Sequence, residues 1–263
     1  MHLVTLLENT AVRDDLAAAH GLSFFVQAAG HTFLFDFGPG AQFAENAQAL
    51  GIDLAGVEFG ILSHGHYDHG GGLDVFLRRC PAAPVYARPE VFLRHHAGEK
   101  DIGVDKALEK SGRFRFTEAA EQIFPGLTLL FQPAGRELIA PDNALLQQTG
   151  GPDPFDHEQS LVVEEGGRLH LIGGCAHRGI VNYLEQVRAQ FGRWPDTVLS
   201  GFHLATPGGA PDEAQVDALA DRLTALPTQF YTCHCTGLPG YERLKARMGS
   251  QLAYAAGGCI LEL

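Results

Sequence analysis

Ser63-His64-Gly65-His66-Tyr67-Asp68-His69-Gly70-Gly71-Gly72-Leu73 follows directly on a short apolar run at 59–62. It places three histidines and an aspartate within six positions. His64 and His66, two apart on extended chain, can aim both rings at one ion. Asp68 and His69, just past a turn, can serve a second ion close by. A dinuclear site of this kind lowers the pKa of a bound water and clamps the oxygens of a displacement. Histidine pairs on polar surface loops are common; this complete string is not.

On the N-terminal side of this string, apolar patterning predicts strands at 3–7, 22–27, 32–35 and 59–62, with a turn at Gly30-His31 and a helix ending near Leu50. On the C-terminal side, Gly70–Gly72 opens a helix to about residue 79, and 84–87 returns as a strand. From about 89 to 155 the pattern loosens into Pro/Gly-rich breaks, a charged helix-like piece at 100–110 and a strand at 127–131. That stretch reads as an insertion or cap over the site, where substrate choice resides. Order resumes with a hairpin at 161–172, helices at 180–191, 212–226 and 239–248, strands at 197–199 and 229–232, and a last strand at 259–263.

Strand, short histidine-bearing loop, then helix occurs four times, at 61–74, 171–181, 198–213 and 230–241. In α/β folds ligands collect beyond the carboxyl ends of strands, beside helix N-termini. Four such junctions deliver His64, His66, Asp68 and His69, then Cys175 and His177, then His203, then His234 to one edge. The rim also suits an anionic substrate.

Composition bounds the remaining choices. Apolar residues make up 45% and charged residues 19% of 263, as in a globular protein with a sizeable core. A formal net charge of −12 argues against a nucleic-acid partner, which calls for a basic patch. No apolar run is long enough to span a bilayer, and the opening Met-His-Leu-Val-Thr-Leu-Leu-Glu has no basic region of a signal peptide. The five cysteines are an odd number, so reduced thiols and a cytoplasmic setting are expected. Cys233 and Cys235, which alternate in direction around His234, read as structural thiols.

The histidine string resembles the signature of the metallo-β-lactamase superfamily. Three further segments, Gly-Cys-Ala-His-Arg-Gly-Ile-Val-Asn at 174–182, Gly-Phe-His-Leu at 201–204 and Cys-His-Cys-Thr-Gly at 233–237, resemble its subgroup named for dihydropterin–ribofuranosylaminobenzene phosphate synthase. The resemblance implies an α+β fold, the four-layer αββα sandwich, as a single domain over 1–263 with metals at one edge. It implies two divalent ions, expected to be zinc with manganese or iron as alternatives. Their ligands would be His64, His66, Asp68, His69, Cys175 (where many members carry a bridging aspartate) and His234. The usual Gly-His-x-x-Gly turn that supplies another histidine is missing. Asp156, His157, Glu158 or His177 remain open as its replacement. Asp68 and His177 are the candidate catalytic groups; His203 and Arg178 are candidates to bind substrate. Asp36, in Asp-Phe-Gly, resembles the turn beneath the metals. His2, His20, His31, His95, His96 and His170 are read as ordinary histidines, with His95-His96 placed to line the cap. The expected activity is metal-dependent hydrolysis of a small phosphorylated, ester or amide substrate. The alternatives are the pterin-condensing transfer in the subgroup's name and a di-iron redox or metal-binding protein.

Overall fold

Strict alternation of large apolar residues builds the N-terminal sheet. The chain opens with β1 (His2–Leu7), β2 (Ser23–Ala28) and β3 (His31–Phe35). In β3, Phe33 and Phe35 pack to one side while Leu34 packs to the other, because side chains on a strand alternate between faces. The β2–β3 hairpin turns through Ala29 and Gly30, at φ of 51° and 79°, the pair of left-handed residues that a two-residue turn needs to match strand twist. The computed structural model describes residues 1–205 and 211–263; within the junction at 198–213, residues 206–210 lie outside that description.

The chain continues through α1 (Gln42–Ala49), β4 (Phe59–Ile61), α2 (Tyr67–Gly70), α3 (Leu73–Arg79) and β5 (Val85–Ala87). Next come β6 (His95–Ala97), β7 (Lys100–Asp101), β8 (Phe114–Phe116), β9 (Glu121–Phe124), β10 (Leu127–Phe131), β11 (Leu146–Gln148) and β12 (Gly151–Pro152). The last part runs β13 (Gln159–Glu165), β14 (Arg168–Ile172), α4 (Ile180–Phe191), β15 (Thr197–Ser200), α5 (Glu213–Thr224), β16 (Gln229–Thr232), α6 (Leu238–Met248), β17 (Leu252–Tyr254) and β18 (Ile260–Glu262).

Two seven-stranded sheets result, ordered β18-β1-β2-β3-β4-β5-β8 and β17-β16-β15-β14-β13-β10-β9. Phe24, Val26, Phe33, Phe35 and Phe59 of the first sheet pack on Leu127, Leu129, Leu161, Val163 and Ile172 of the second. The outer face of the first sheet is covered by Phe43 and Phe76 of α1 and α3. That of the second is covered by Ile180, Leu184, Leu219 and Leu244 of α4, α5 and α6. These are the four layers αββα. Strands covered on both faces read as continuous apolar runs, which is why Phe59–Ile61 carries no polar residue.

The segment 89–155 is not one separate cap. It contributes β8, β9 and β10 to the main sheets, and only β6, β7, β11 and β12 form a small third sheet. The piece expected to be helical at 100–110 is strand β7 followed by a 3-10 turn at Lys106–Ser111; Gly103 interrupts it and Asp105 caps the turn. The strands β14, β15 and β16 run parallel, so their carboxyl ends share one edge, and the Gln159 N–H donating to Ser63 O at 2.7 Å brings the carboxyl end of β4 in the facing sheet to the same edge.

Candidate metal centre

Three buried carboxylates, one behind each ligand-bearing loop, set the geometry of this edge. Asp36 ends β3 with φ of 62° and is fully buried. Its carboxylate accepts from Ser63 N (2.7 Å), Ser63 Oγ (2.7 Å) and His69 Nδ1 (2.6 Å), so one residue fixes both ends of the histidine string. With Nδ1 so held, His69 Nε2 faces inward, 3.2 Å from Cys175 Sγ and 3.2 Å from His234 Nε2. Burial alone pushes the His69 pKa down, but Asp36 and Asp68 outweigh it and raise it to about 9.

Glu158 does the same for the loop after β14. Its oxygens accept from His177 N (2.6 Å), Arg178 N (3.0 Å) and Tyr183 Oη (3.1 Å). Gly174 permits the close approach of this loop to the first one, since a Cβ there would lie 2.3 Å from Ser63 Oγ. The His177 ring stacks on Phe155 at 4.5 Å, and its Nδ1 lies 3.0 Å from Asn143 Oδ1. Nε2 is therefore the end of the ring that faces the centre.

Glu8 supports the third loop. It accepts from His234 N (2.6 Å), Tyr254 Oη (2.6 Å) and Thr10 N (2.7 Å). Asn9 Oδ1 lies 2.8 Å from His234 Nδ1, which leaves His234 Nε2 directed inward, 3.2 Å from Asp68 Oδ2. Burial opposes the charge on Asp68, yet His69, His20 and His234 hold its carboxyl well below the usual range.

Two donor sets follow. In the first, one donor atom each from His64, His66 and His177 lie within 4.8 Å of one another. The Nε2 atoms of all three are buried without a hydrogen-bond partner. Three solvent-excluded nitrogens left unsatisfied at one point are costly for a protein alone and fit a bound cation. The second set is Asp68, His69 and His234. Cys175 Sγ lies against both sets, since His64, His69 and Cys175 also form one close group. Imidazole, carboxylate and thiolate donors at these separations suit Zn²⁺. Residues of both sets would hold divalent ions in the bound state.

The residues singled out from sequence are thus brought together, with some reassignments. Among the four candidates for the missing histidine, His177 is the one with a free inward nitrogen. His157 Nδ1 accepts from Gly65 N (2.9 Å) and its Nε2 lies 3.2 Å from Asp153. Glu158 backs the His177 loop, and Asp156 Oδ1 accepts from Gln148 (2.7 Å). The Arg178 guanidinium donates to the carbonyls of Pro154 (2.8 Å) and Pro133 (3.3 Å), so engaging a substrate anion would require exchanging those bonds. His203 lies with its ring 4.0 Å from that of His177. Cys233 packs in the inter-sheet core as expected, but Cys235 does not: it faces the centre, grouped with Cys175 and His234. The alternation on either side of His234 sends one thiol to each face.

Sequence reasoning read His20 and His95 as ordinary histidines, and both stand at the site. His20 is exposed at the mouth, with Nε2 3.2 Å from Asp68 Oδ2 and its ring 4.7 Å from that of His234. His95 is buried and bonded to Asp153 Oδ2 (3.2 Å), which ties the small third sheet to His157. Glu8 and Asn9 were also missed. Their one local signal is a polar pair closing an apolar strand.

An αββα sandwich with histidines, an aspartate and a cysteine converging at one sheet edge defines a candidate metal centre. The family profile of the metallo-beta-lactamase superfamily matches residues 18–227, and the chain belongs to that superfamily. It is 27% identical to 7,8-dihydropterin-6-methyl-4-(beta-D-ribofuranosyl)-aminobenzene-5'-phosphate synthase of Methanocaldococcus jannaschii, over 89% of this chain and 87% of that one. It is 25% identical to an uncharacterized protein of the same organism, over 91% and 92%. Among solved structures, a metal-dependent hydrolase of the beta-lactamase superfamily superposes with a TM-score of 0.85 at 28% identity, covering 100% of this chain and 99% of that one. Among the described residues no helix is long and apolar enough to cross a membrane.

Proposed function

We propose that the protein is a hydrolase with a dinuclear, zinc-type centre that acts on a small anionic substrate, a phosphoester or an activated ester or amide. The observation that carries this reading is the convergence of His64, His66 and His177 Nε2, buried and unpartnered, beside Asp68, His69 and His234. Two divalent ions there would supply a bound water of lowered pKa and an electrophile for the substrate oxygen. His64, His66 and His177 would hold one ion and Asp68, His69 and His234 the other, with Cys175 against both. Asp68, the least enclosed of these side chains, orients the attacking oxygen and takes its proton at Oδ2, next to His20. Phe155 and Asn143 keep the His177 ring in place through catalysis.

The second reading is condensation of a dihydropterin methyl pyrophosphate with a ribofuranosylaminobenzene phosphate. It is favoured by the 27% identity to the synthase over nearly the whole length. The same donors would then act on a leaving pyrophosphate. A di-iron redox centre fits less well, because Cys175 is a softer donor than such centres commonly use.

The test is elemental analysis of protein purified without chelator or affinity-tag metal, followed by assay on bis(p-nitrophenyl) phosphate. At least two zinc ions per chain and metal-dependent turnover are expected. Iron in their place redirects the reading to redox chemistry. Failure to bind zinc or manganese tightly sinks it.

A further inference from the structure

Cys235 and His203 are not used by the two donor sets above, yet the fold holds both against Cys175. The His203 loop is stitched to the Cys235 turn: Leu204 N and Ala205 N both donate to Cys235 O, at 3.0 and 2.9 Å. Thr236 Oγ1 accepts from Phe202 N at 2.8 Å. Gly201 makes room for the sulfur, since a Cβ there would lie 2.4 Å from Cys235 Sγ. Both thiols are buried, Cys175 at 3% and Cys235 at 5% exposure. Cys175, His177 and His203 form one close donor group, and Cys175, His234 and Cys235 form another, each within 4.8 Å. His203 Nδ1 and His177 Nε2 are buried without a partner. His203 also sits at φ of 48°, a strained backbone that aims its ring inward.

We propose that Cys175, Cys235 and His203 form a third coordination pocket, for a thiophilic divalent ion of the zinc class, with Cys175 Sγ shared between it and the inner sites. Two thiolates and an imidazole are the donors that such an ion prefers. Cys175 Sγ lies within 4.8 Å of a ring nitrogen of His203 and of Cys235 Sγ, and donor-to-donor separations in a tetrahedral zinc site are about 3.5–4 Å, so the pocket forms as these side chains close around Cys175. On binding, both thiol protons pass to solvent as the sulfur–metal bonds form. The pocket requires no particular reaction at the inner sites, and it stands or falls separately from the proposed hydrolysis.

The test is titration of the full-length, chelator-stripped and reduced protein with Co²⁺ under anaerobic conditions. Equivalents bound are counted and thiolate-to-cobalt charge transfer is followed in the near ultraviolet. Three equivalents are expected in the parent protein. In Cys235→Ser, a change of one atom, two equivalents and about half the charge-transfer intensity are expected. His203→Asn should also lose one equivalent, which guards against a folding defect peculiar to one variant; circular dichroism checks both. His66→Ala should weaken the inner sites and keep the charge-transfer band, so failure of the hydrolytic centre is read apart from failure of this pocket. An unchanged equivalent count or an unchanged band in Cys235→Ser overturns the proposal.

Discussion

Asp36→Asn tests whether the buried carboxylates, and not the ligands alone, make the centre. Asparagine keeps the shape and tolerates the left-handed φ of 62°, so backbone strain is not the variable. Its amide has one acceptor oxygen where three donors now arrive: Ser63 N, Ser63 Oγ and His69 Nδ1, all within 2.7 Å. If the oxygen stays with Ser63 N, the amide NH₂ faces His69 Nδ1. His69 must then accept there and carry its proton on Nε2, the nitrogen an ion needs. Loss of such an outer partner weakens metal binding about 10–100-fold, or about 1.4–2.7 kcal/mol. Proton competition adds a signature. Although burial opposes it, Asp36 and Asp68 raise His69 to about 9, so at neutral pH an entering ion must displace the Nε2 proton. The parent's affinity should therefore climb about tenfold per pH unit from 7 to 9 and then flatten. Without the carboxylate the plateau comes at lower pH, so the ratio of parent to variant affinity widens as pH rises. Competition against a chromophoric chelator between pH 6.5 and 9.5 measures it. Affinities within threefold of each other at every pH would refute the reasoning.

Away from the centre, His170 is 1% exposed and has no partner on either ring nitrogen. Burial first, then the N-terminal amino group and Arg168, lower its pKa to about 4. The unfolded chain binds the extra proton near pH 6.5, so stability is full above that value and falls between pH 6.5 and 4, by about 2–3 kcal/mol. Urea midpoints at pH 7 and 4.5 should show this loss, and His170→Leu should reduce it; an equal loss in both proteins counts against the assignment. Gly174→Ala would force a Cβ to within 2.3 Å of Ser63 Oγ and separate the two inner loops. A cost of about 1–3 kcal/mol is expected, together with a smaller rise in melting temperature on adding zinc. A zinc-induced rise equal to the parent's would show that the loops do not need that approach.

What could be read in the sequence was whatever is local. The string at 63–73, the strands that hold it and the junctions at Cys175, His203 and His234 depend on spacing and periodicity over a few residues, and the fold reproduces them. What was not legible depends on contacts between distant segments. Glu8 braces His234 across 226 positions, and His20 reaches Asp68 from a loop with no motif of its own. His157 stood in the expected place for a ligand, and the approach of Gly65 N to its Nδ1 and of Asp153 to its Nε2 occupies both of its ring nitrogens. The side to which Cys235 turns was not legible, because alternation tells which thiols point apart but not which face leads to the candidate centre. At 89–155 the strands β8 and β10 pair with partners about thirty residues away, so a local pattern suggested a cap where three of the seven strands belong to the main sheets.

Five of the nine non-glycine residues with positive φ among the described residues stand at the edge that carries the candidate ligands. Among the described residues, Asp36, Phe155, Ala176, His203 and His234 all take positive φ, between 48° and 62°. For a residue other than glycine this costs about 1–2 kcal/mol each. Glycine would remove the strain, but at four of the five positions the side chain is itself required: the Asp36 carboxylate, the Phe155 ring on His177, and the His203 and His234 imidazoles. The buried carboxylates of Asp36, Glu158 and Glu8, each accepting three or more hydrogen bonds, supply the opposing stabilisation at the loop bases. Strain and anchoring are therefore coupled. Removing an anchor whose strained neighbour is a separate residue, as Glu158 is to Ala176, should release that residue and move the following ligand, so Glu158→Gln loses metal affinity before it loses the fold.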